Sequence, residues 1–456
     1  MATKEGIFLP HSEEYDDILS KIFHGGAAGS QPGAIVQPRT EDDIRHALKM
    51  ASSTGMKICV RGGGHSGHCS APGAMMLDLS RYMNAVTWNG KDRVAVAQGG
   101  AIVGDVLRCL AQHDSTISVG VYGTPGMGLV LQGGIGYLTR SCGLTLDAIE
   151  EIRAVRVSDG ASIVCSADHP KGDAFALLRG AAPFLAIATE ITLRPILQQS
   201  LHVMRAMYSL ESIGLLIAES ETLPHACSCS LVLGVPPSGS SVPVAMMYAV
   251  GATKDAEASL EHIEATHASK IMAGPWHSRA PGLSQCPLFE LPCLSDGQVP
   301  PAPAAPKDRH SRPSTCVYSL LFPSDTLAVS TDLLDRALKH VPNESCTIAL
   351  QHCGGAVANV TPSATAFAGR QVEWSMVITA IWDPSDTRAG EIAQQWAKDC
   401  FMSMEHLACG LYIVERHPEQ PDIYQRELKL AFGENLPRIK RLREAWDPHH
   451  VLLSSL

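Results

Sequence analysis

The stretch that most constrains the fold is KICVRGGGHSGHCSAPGAMMLDLS, residues 57–80. Two apolar runs, 58–60 and 75–79, predict buried strands on either side of a turn. The turn contains Gly62, Gly63, Gly64, His65, Gly67 and His68. Backbone this rich in glycine can adopt positive φ and approach a bound group closely, with its N–H donors open to phosphate. The stretch therefore predicts a cradle for a phosphate-bearing group, with an imidazole as its reactive side chain.

Two familiar interpretations of this turn fit poorly. Gly62, Gly64 and Gly67 satisfy GxGxxG, but a dinucleotide fold needs a helix to begin inside the motif, and here Pro72 and Gly73 follow instead. The histidines with Cys69 form HxxHC, which lacks the second cluster of a zinc site. We therefore expect neither a nicotinamide Rossmann fold nor a metal.

Charge and composition narrow the class of protein. The chain has 456 residues, a formal net charge of -10 and a pI near 6.0, with no basic stripe that would bind nucleic acid. No apolar stretch has the length of a signal peptide or a membrane span, and the 14 cysteines include no CxxC pair. We expect a soluble, cytoplasmic protein that acts on a small molecule, binds neither nucleic acid nor membrane, and has no disulfide framework. Its oligomeric state is left open.

The first part of the chain alternates short strands and helices. Thr40 followed by three acidic residues predicts a helix N-terminus, and Gly55 predicts its end. A second glycine-dense stretch, 120–152, cannot form one regular helix because each interior glycine costs about 1 kcal/mol relative to alanine. It predicts an extended loop and a short helix packed against a flat partner.

From about residue 200 to 410, strand patterns alternate with helical ones. The strand patterns are 231–235, 245–250, 315–321, 345–351 and 374–382, and the helical patterns are 255–266, 325–340 and 387–406. The proline- and alanine-rich stretch 297–314 predicts a surface loop. This half predicts an antiparallel sheet backed by helices, so the fold class is α+β.

Several motifs in one order carry a family resemblance. They are PRTEDDIRHAL, RGGGHS, MLDLS, QGGA, GLVLQGGIGYLTRSCGLTLD and LLRGAAPFLAIATEITLRP. In this order they resemble the FAD-binding domain of the PCMH-type, or vanillyl-alcohol-oxidase-like, flavoproteins, and within that group the berberine-bridge-enzyme-like oxidases. The resemblance is strong over residues 30–197 and weaker at 349–370 and at the C-terminal helix.

The resemblance implies FAD as the cofactor and an assignment for each glycine segment. His65 matches the histidine that bonds the flavin, and no cysteine stands where some relatives form a second bond, so one covalent bond is expected. The pyrophosphate loop would comprise Arg61, Gly62, Gly63, Gly64 and Ser66. The stretch along the flavin and adenine would comprise Thr124, Gly126, Gly128, Gly133, Gly134 and Gly136, and Tyr122 would either line the flavin pocket or simply pack.

The catalytic base is less clear from the resemblance. Many relatives carry Tyr-x-Asn-Tyr near the C-terminus, and this chain has Tyr412 at the first position and Glu415 at the last. Glu415 could serve as the base or be a surface charge in a polar stretch. Glu373, on the strand after the 349–370 segment, and His352 are further candidates.

The resemblance implies a three-part organisation and a redox function. An FAD-binding domain would span residues 1–197, a substrate domain 198–425, and a segment returning to the FAD-binding domain 426–456. The expected reaction is oxidation of a small organic substrate, such as a phenolic, alkaloid or sugar-like molecule, by hydride transfer to flavin N5, with O2 as acceptor. Dehydrogenase behaviour remains open, and the alternatives are a flavin-holding cyclase or lyase without net redox change and a catalytically inactive binding protein.

Overall fold

The computed structural model describes residues 6–198, 200–236, 242–266, 270–272, 284–286, 312–454 and 456. Three large sheets and the helices packed on them form the fold, which confirms the predicted α+β class. Among the helices with described residues, none combines the length and the apolar composition that crossing a bilayer requires.

The first sheet has four strands in the order β1-β2-β4-β3. Its strands are β1 (Ile7–Phe8), β2 (Ala34–Val36), β3 (Ile58–Arg61) and β4 (Met75–Asp78), and its helices are α1 (Glu13–Ser20), α2 (Gly25–Gly29) and α3 (Glu41–Thr54). Thr40 caps α3 as predicted, in a capping box with Asp43, and Gly55 ends the helix at φ 71°. β3 and β4 are parallel, so the chain leaves one end of the sheet through the glycine turn and returns to the opposite end to begin β4.

The second sheet has five antiparallel strands in the order β5-β6-β10-β8-β9. The elements of this region are β5 (Val86–Asn89), β6 (Val94–Gln98), α4 (Val103–Ala111), β7 (Ser115–Thr116), α5 (Met127–Val130), α6 (Thr139–Cys142), β8 (Ile149–Arg156), β9 (Ser162–Ser166), α7 (Ala174–Leu185), β10 (Ala186–Leu193) and β11 (Ile196–Leu197). The α-helices of the second glycine-dense stretch are the four-residue α5 and α6, where its composition predicted one short helix, and a 3₁₀ turn at Thr145–Ala148 then leads into β8.

The large sheet has eight antiparallel strands and carries most of the predicted second half. Its strands are β12 (Leu201–Ser209), β13 (Cys227–Gly234), β14 (Val244–Gly251), β15 (Lys270–Met272), β16 (Ser284–Cys286), β17 (Ser314–Phe322), β18 (Thr347–His352) and β19 (Trp374–Trp382). The order is β15-β12-β14-β13-β18-β19-β17, and β16 also pairs with β12. Its helices are α8 (Ile213–Glu221), α9 (Lys254–Thr266), α10 (Thr326–Val329), α11 (Thr331–Lys339) and α12 (Thr387–Met404).

Two predictions in this half differ from the structure in detail. The helical pattern 325–340 is two helices, because the backbone leaves the helical region at Ser330, whose φ is -111°. The loop predicted at 297–314 lies largely outside the described residues, and its last residue, Ser314, already begins β17.

The C-terminal residues return to the first and second sheets. After α13 (Pro421–Phe432) and α14 (Leu436–Trp446), Arg443 donates a hydrogen bond to the Phe184 carbonyl at 2.6 Å. Leu452 then forms a parallel bridge with Ile58 of β3 and joins the buried core of the first sheet. The C-terminal segment therefore reaches the strand that leads into the glycine turn.

Candidate active site

The two glycine-dense segments meet at backbone distance. A Cβ atom added to Gly63 would lie 2.4 Å from the Gly126 nitrogen, and one added to Gly126 would lie 2.3 Å from the Gly63 nitrogen. Real Cβ contacts are never this short, so neither position has room for a side chain. The turn after β3 and the stretch before α5 are therefore two walls of one cradle.

This cradle opens into a cavity of about 440 Å³ between the glycine segments and the large sheet. Its lining includes residues 62–66, His68, Tyr122, Gly126, Gly128, Val317, Val377, Thr379, 414–416 and 452–454. Val317, Val377 and Thr379 project from β17 and β19 and present small side chains. The cavity thus combines a glycine-lined wall, a sheet wall and a few polar groups, as small-molecule sites commonly do.

His65 stands in the cavity wall as a neutral imidazole. Its ring stacks on Phe23, with centroids 4.0 Å apart. Burial, with a smaller contribution from His24, lowers the pKa of His65 to about 4. The ring therefore keeps a free nitrogen lone pair at neutral pH.

Glu415 reaches the same cavity from the loop that follows the large sheet. Its side chain is 22% exposed, and its Oε2 lies 3.9 Å from His68 Nε2. Burial raises the pKa of Glu415 to about 7, although Arg416 and the Gly67 backbone N–H oppose the shift. A carboxylate that titrates near neutrality beside a cavity is a suitable general base.

Comparisons with known proteins agree with this arrangement. Residues 32–166 match the family model for an FAD binding domain. An FAD-linked oxidoreductase of Dictyostelium discoideum is 25% identical over 97% of this chain and 92% of its own length. Glucooligosaccharide oxidase of Sarocladium strictum is 39% identical over 35% of this chain and 32% of its own length.

Solved structures show the same fold over nearly the whole chain. BBE-like 28 from Arabidopsis thaliana superposes with a TM-score of 0.81 at 15% identity, over 98% of this chain and 96% of its own. 6-Hydroxy-D-nicotine oxidase from Arthrobacter nicotinovorans superposes with a TM-score of 0.81 at 18% identity, over 99% of this chain and 98% of its own. The chain is an FAD-linked oxidoreductase. Its fold is that of the berberine-bridge-enzyme-like, PCMH-type flavoproteins.

In this oxidoreductase, part of the predicted cofactor set lines the cavity and part does not. The lining members are Gly62, Gly63, Gly64, His65, Ser66, Tyr122, Gly126 and Gly128. Thr124 touches the cradle through its backbone, because its carbonyl would lie 2.9 Å from a Cβ on Gly63.

Arg61, by contrast, directs its side chain away from the cavity. The guanidinium donates to the Ile18 carbonyl at 3.1 Å and the Lys21 carbonyl at 2.9 Å, and it lies 3.4 Å from Asp78. Arg61 therefore holds the N-terminal helix against β3 and β4. Its side chain does not line the cavity. Its assignment to the pyrophosphate loop had predicted that it would.

Tyr412 and the later glycines form a separate contact behind the cavity. The Tyr412 ring occupies the space that a Cβ on Gly133 would need, at 2.6 Å, and its hydroxyl accepts a hydrogen bond from the Gly134 N–H at 2.7 Å. Gly136 packs against the Val119 carbonyl, with no room for a Cβ. Burial raises the pKa of Tyr412 well above its usual range. The tyrosine thus joins the second glycine segment to the loop that carries Glu415.

Glu373 and His352 pair with each other in a buried cluster that also lies outside the cavity lining. His352 Nε2 is 2.7 Å from Glu373 Oε1, and Arg140 Nη2 is 3.3 Å from the same oxygen. The His352 ring stacks on Trp374 at 4.4 Å. Burial raises the pKa of Glu373, while burial and Arg140 lower the pKa of His352 well below its usual value. The cluster links α6 to β18 and β19.

Three features of the site were not predicted from the sequence. His68 lines the cavity next to Glu415, although no role was predicted for it. Val377 and Thr379 form the sheet wall. Every second side chain of a strand points to the same face, so counting from Glu373 could have identified both residues. Arg416 is buried at the cavity wall, and its Nε and Nη1 atoms have no hydrogen-bond partner in the described part of the chain.

Proposed function

We propose that the chain oxidises a small organic molecule in this cavity. FAD would be attached to His65, and Glu415 would act as the base. The observation that carries the proposal is that His65, from the glycine turn, and Glu415, from the loop between α12 and α13, line one cavity. The substrate would lie against the sheet wall. Its identity would be set by the residues of that wall.

The residues around the cavity suit FAD. Glycine backbone at 62–64 offers N–H donors that no side chain covers, as a pyrophosphate requires. Arg416 adds buried donors without partners among the described residues, and an anionic or carbonyl oxygen would satisfy them. His65 would form the covalent bond, because its neutral nitrogen is nucleophilic. Its stacking on Phe23 would hold the ring in place.

Glu415 would perform the acid–base work of the site. Bound FAD supplies an acceptor for two electrons as hydride. Glu415 would take the proton from a substrate hydroxyl or amine, since a pKa of about 7 leaves a large ionised fraction at neutral pH. Burial and the charges of Arg416 and His417 lower the pKa of His68 well below its usual value, so its ring stays neutral and leaves the proton on Glu415.

We propose O2 as the electron acceptor. The support is that relatives with this domain are named as oxidases, glucooligosaccharide oxidase among them. The wall of small side chains at Val317, Val377 and Thr379 also leaves space beside the cradle. Hydrogen peroxide would then be the second product.

The cofactor assignment has a direct test in acid precipitation of the purified protein. We expect a yellow pellet from the wild type, because the covalent bond survives denaturation, and a colourless pellet from His65→Ala. His46→Ala, at an exposed position of α3, is the control and should give a yellow pellet. A yellow pellet from His65→Ala would contradict the attachment, and a colourless wild-type protein would contradict the flavin itself.

The reaction is tested by mixing the protein anaerobically with a panel of aldoses, phenols, benzylic alcohols and amines. A substrate should bleach the main visible flavin band, and admission of air should restore the band and release hydrogen peroxide. Bleaching without recovery in air would indicate a dehydrogenase. A new product without bleaching would reject oxidation and favour the cyclase or lyase alternative.

A further inference from the structure

Next to the proposed active site lies a cysteine, histidine and glutamate arranged in series. Cys316 Sγ is 3.8 Å from His417 Nε2, and His417 Nδ1 is 2.6 Å from Glu427 Oε1. A nucleophile, a base and a carboxylate that orients the base are the three parts of an activated-nucleophile site. Glu373, His352 and Glu415 do not contribute to this arrangement.

The surroundings fix the imidazole in this position. The second carboxylate oxygen of Glu427 accepts a hydrogen bond from the His417 backbone N–H at 3.0 Å. The Tyr318 ring stacks on the imidazole at 3.8 Å and 10°, and Gln420 donates to the Tyr318 hydroxyl at 3.0 Å. The His417 ring therefore cannot turn away, and its Nε2 stays directed at the sulfur.

The electrostatics favour a charged imidazole at this place. Burial opposes the charge on His417, but its hydrogen bonds to Cys316 and Glu427 outweigh burial and raise its pKa to about 10. An imidazolium next to a thiol stabilises the thiolate. A metal site is not indicated, because the described residues contain no group of three His, Cys, Asp or Glu side chains that could hold an ion.

The thiol is accessible from a second cavity. This cavity has a volume of about 610 Å³, and Cys316 and His417 are in its wall. It shares His68, Val317, Glu415 and Arg416 with the cavity that holds His65. A small molecule present at one site can therefore approach the other, and the side chain of Cys316 is only partly buried.

We propose that Cys316 is a reactive thiol at which hydrogen peroxide forms a sulfenic acid, with His417 and Glu427 as its positioning residues. The thiolate sulfur attacks one peroxide oxygen, the S–O bond forms and the O–O bond breaks. The sulfur loses two electrons to the peroxide. The other oxygen leaves as hydroxide and takes the proton of the His417 imidazolium, which gives water. The proposal does not depend on the oxidase function, because added peroxide serves as the oxidant.

Other ionisable groups face the pair from the same cavity and from the neighbouring strand. They are Glu415, Arg416, Glu419, Tyr424, His24 and His68, with Tyr318 on the strand of Cys316. Glu415 and Glu419 oppose a thiolate, and Arg416 supports one. The pH dependence of the sulfur therefore has to be measured with His417 and Glu427 varied separately.

The test is site-resolved trapping of sulfenic acid in the full-length protein. The protein is treated with one equivalent of hydrogen peroxide and dimedone, and the labelled fraction of each cysteine is determined by peptide mass spectrometry. Cys409 is the internal control, because it is exposed and its Sγ donates to a carbonyl rather than facing an imidazole. We expect Cys316 to be labelled first, and faster labelling of Cys409 would overturn the proposal.

The variants separate activation from mere access. An unassisted thiol of pKa about 8.5 is less than about 1% thiolate at pH 6, and its greater intrinsic nucleophilicity offsets only part of that deficit. We therefore expect His417→Asn to slow labelling of Cys316 on the order of tenfold at pH 6, with a much smaller loss at pH 9. Glu427→Gln should also slow labelling of Cys316 at pH 6, by a smaller factor.

Two controls keep this result interpretable. His406→Asn, at an exposed position, should leave labelling of Cys316 unchanged. Thermal unfolding of each variant identifies any that has lost its fold, and Glu427→Gln provides the test if His417→Asn has done so. Equal labelling of Cys316 in the wild type and both variants at pH 6 would reject the role of the histidine and the glutamate.

Discussion

The pairs Glu373–His352 and Glu415–His68 have the same composition and very different settings. Glu373 and His352 are 2.7 Å apart, and Arg140 lies 3.3 Å from the same carboxylate oxygen. Glu415 and His68 are 3.9 Å apart, and both line the cavity that contains His65. The first pair has satisfied its hydrogen bonds internally, so it stabilises the packing of α6 on the large sheet. The second is incompletely satisfied and faces open space, which leaves it available for a substrate.

The largest effect that separates the two pairs is expected on catalysis. Glu415→Gln removes the proposed base and keeps the shape of the side chain, so the rate of anaerobic flavin bleaching by the best substrate of the panel should fall by about 10²–10⁴-fold. Glu373→Gln should change that rate little, because Glu373 is outside the cavity lining. An unchanged rate in Glu415→Gln would remove Glu415 from the mechanism.

Stability should respond in the opposite order. Glu373→Ala leaves Arg140 buried without its carboxylate partner, and we expect a loss of about 3 kcal/mol in the free energy of unfolding, measured by denaturant titration. Glu150→Ala is the control, since its ion pair with Arg194 is at the surface and should contribute less than about 1 kcal/mol. Equal losses in the two variants would show that the Glu373 cluster does not stabilise the fold.

The pH dependence should also distinguish Glu415. Because its pKa in the folded chain is raised from 4.5 to about 7, folding favours its protonated form. The stabilising contribution is complete below pH 4.5 and is lost as the pH rises through 7. The proposed role as a base requires the ionised form, so the bleaching rate should rise through pH 7 and then level off. Relative to Glu415→Gln, the wild type should lose thermal stability as the pH rises from 4.5 to about 7. Parallel stability profiles of the two proteins would contradict the raised pKa.

The smallest effect concerns Tyr412. Tyr412→Phe removes the hydroxyl that accepts the Gly134 N–H, and one such hydrogen bond is worth about 1 kcal/mol in stability. The bleaching rate should remain close to that of the wild type, because the ring still packs on Gly133. A loss of rate comparable to that of Glu415→Gln would instead bring the tyrosine into the catalytic machinery.

Much of the fold could be predicted because its signals are local. Thr40, Asp43 and Gly55 define α3 within one helix length, and the pattern at 374–382 gave the bounds of β19. β12 was missed, because residues on both of its faces are buried and its sequence does not alternate between apolar and polar side chains.

The site was harder to predict, because its contacts join distant parts of the chain. Tyr412 and Glu415 are three positions apart, yet one packs on Gly133 and the other lines the cavity. Two partners of Arg61 are backbone carbonyl groups, one in α1 and one in the residue after it. Every residue type has a backbone carbonyl, so the sequence contains no signal for these contacts. His65 could be singled out because its glycine neighbours form a recognisable motif, whereas the surroundings of Glu415 exist only after the large sheet has packed.

The parallel bridge between Ile58 and Leu452 has a consequence for biosynthesis. Residues 452–454 form part of the wall of the cavity that begins at the glycine turn. A nascent chain that has only emerged through the glycine segments therefore presents an open cradle. The wall of the proposed cofactor cavity is complete only after residues 452–454 have emerged and reached β3, so nascent chains paused before residue 452 should retain less flavin than chains that include these residues.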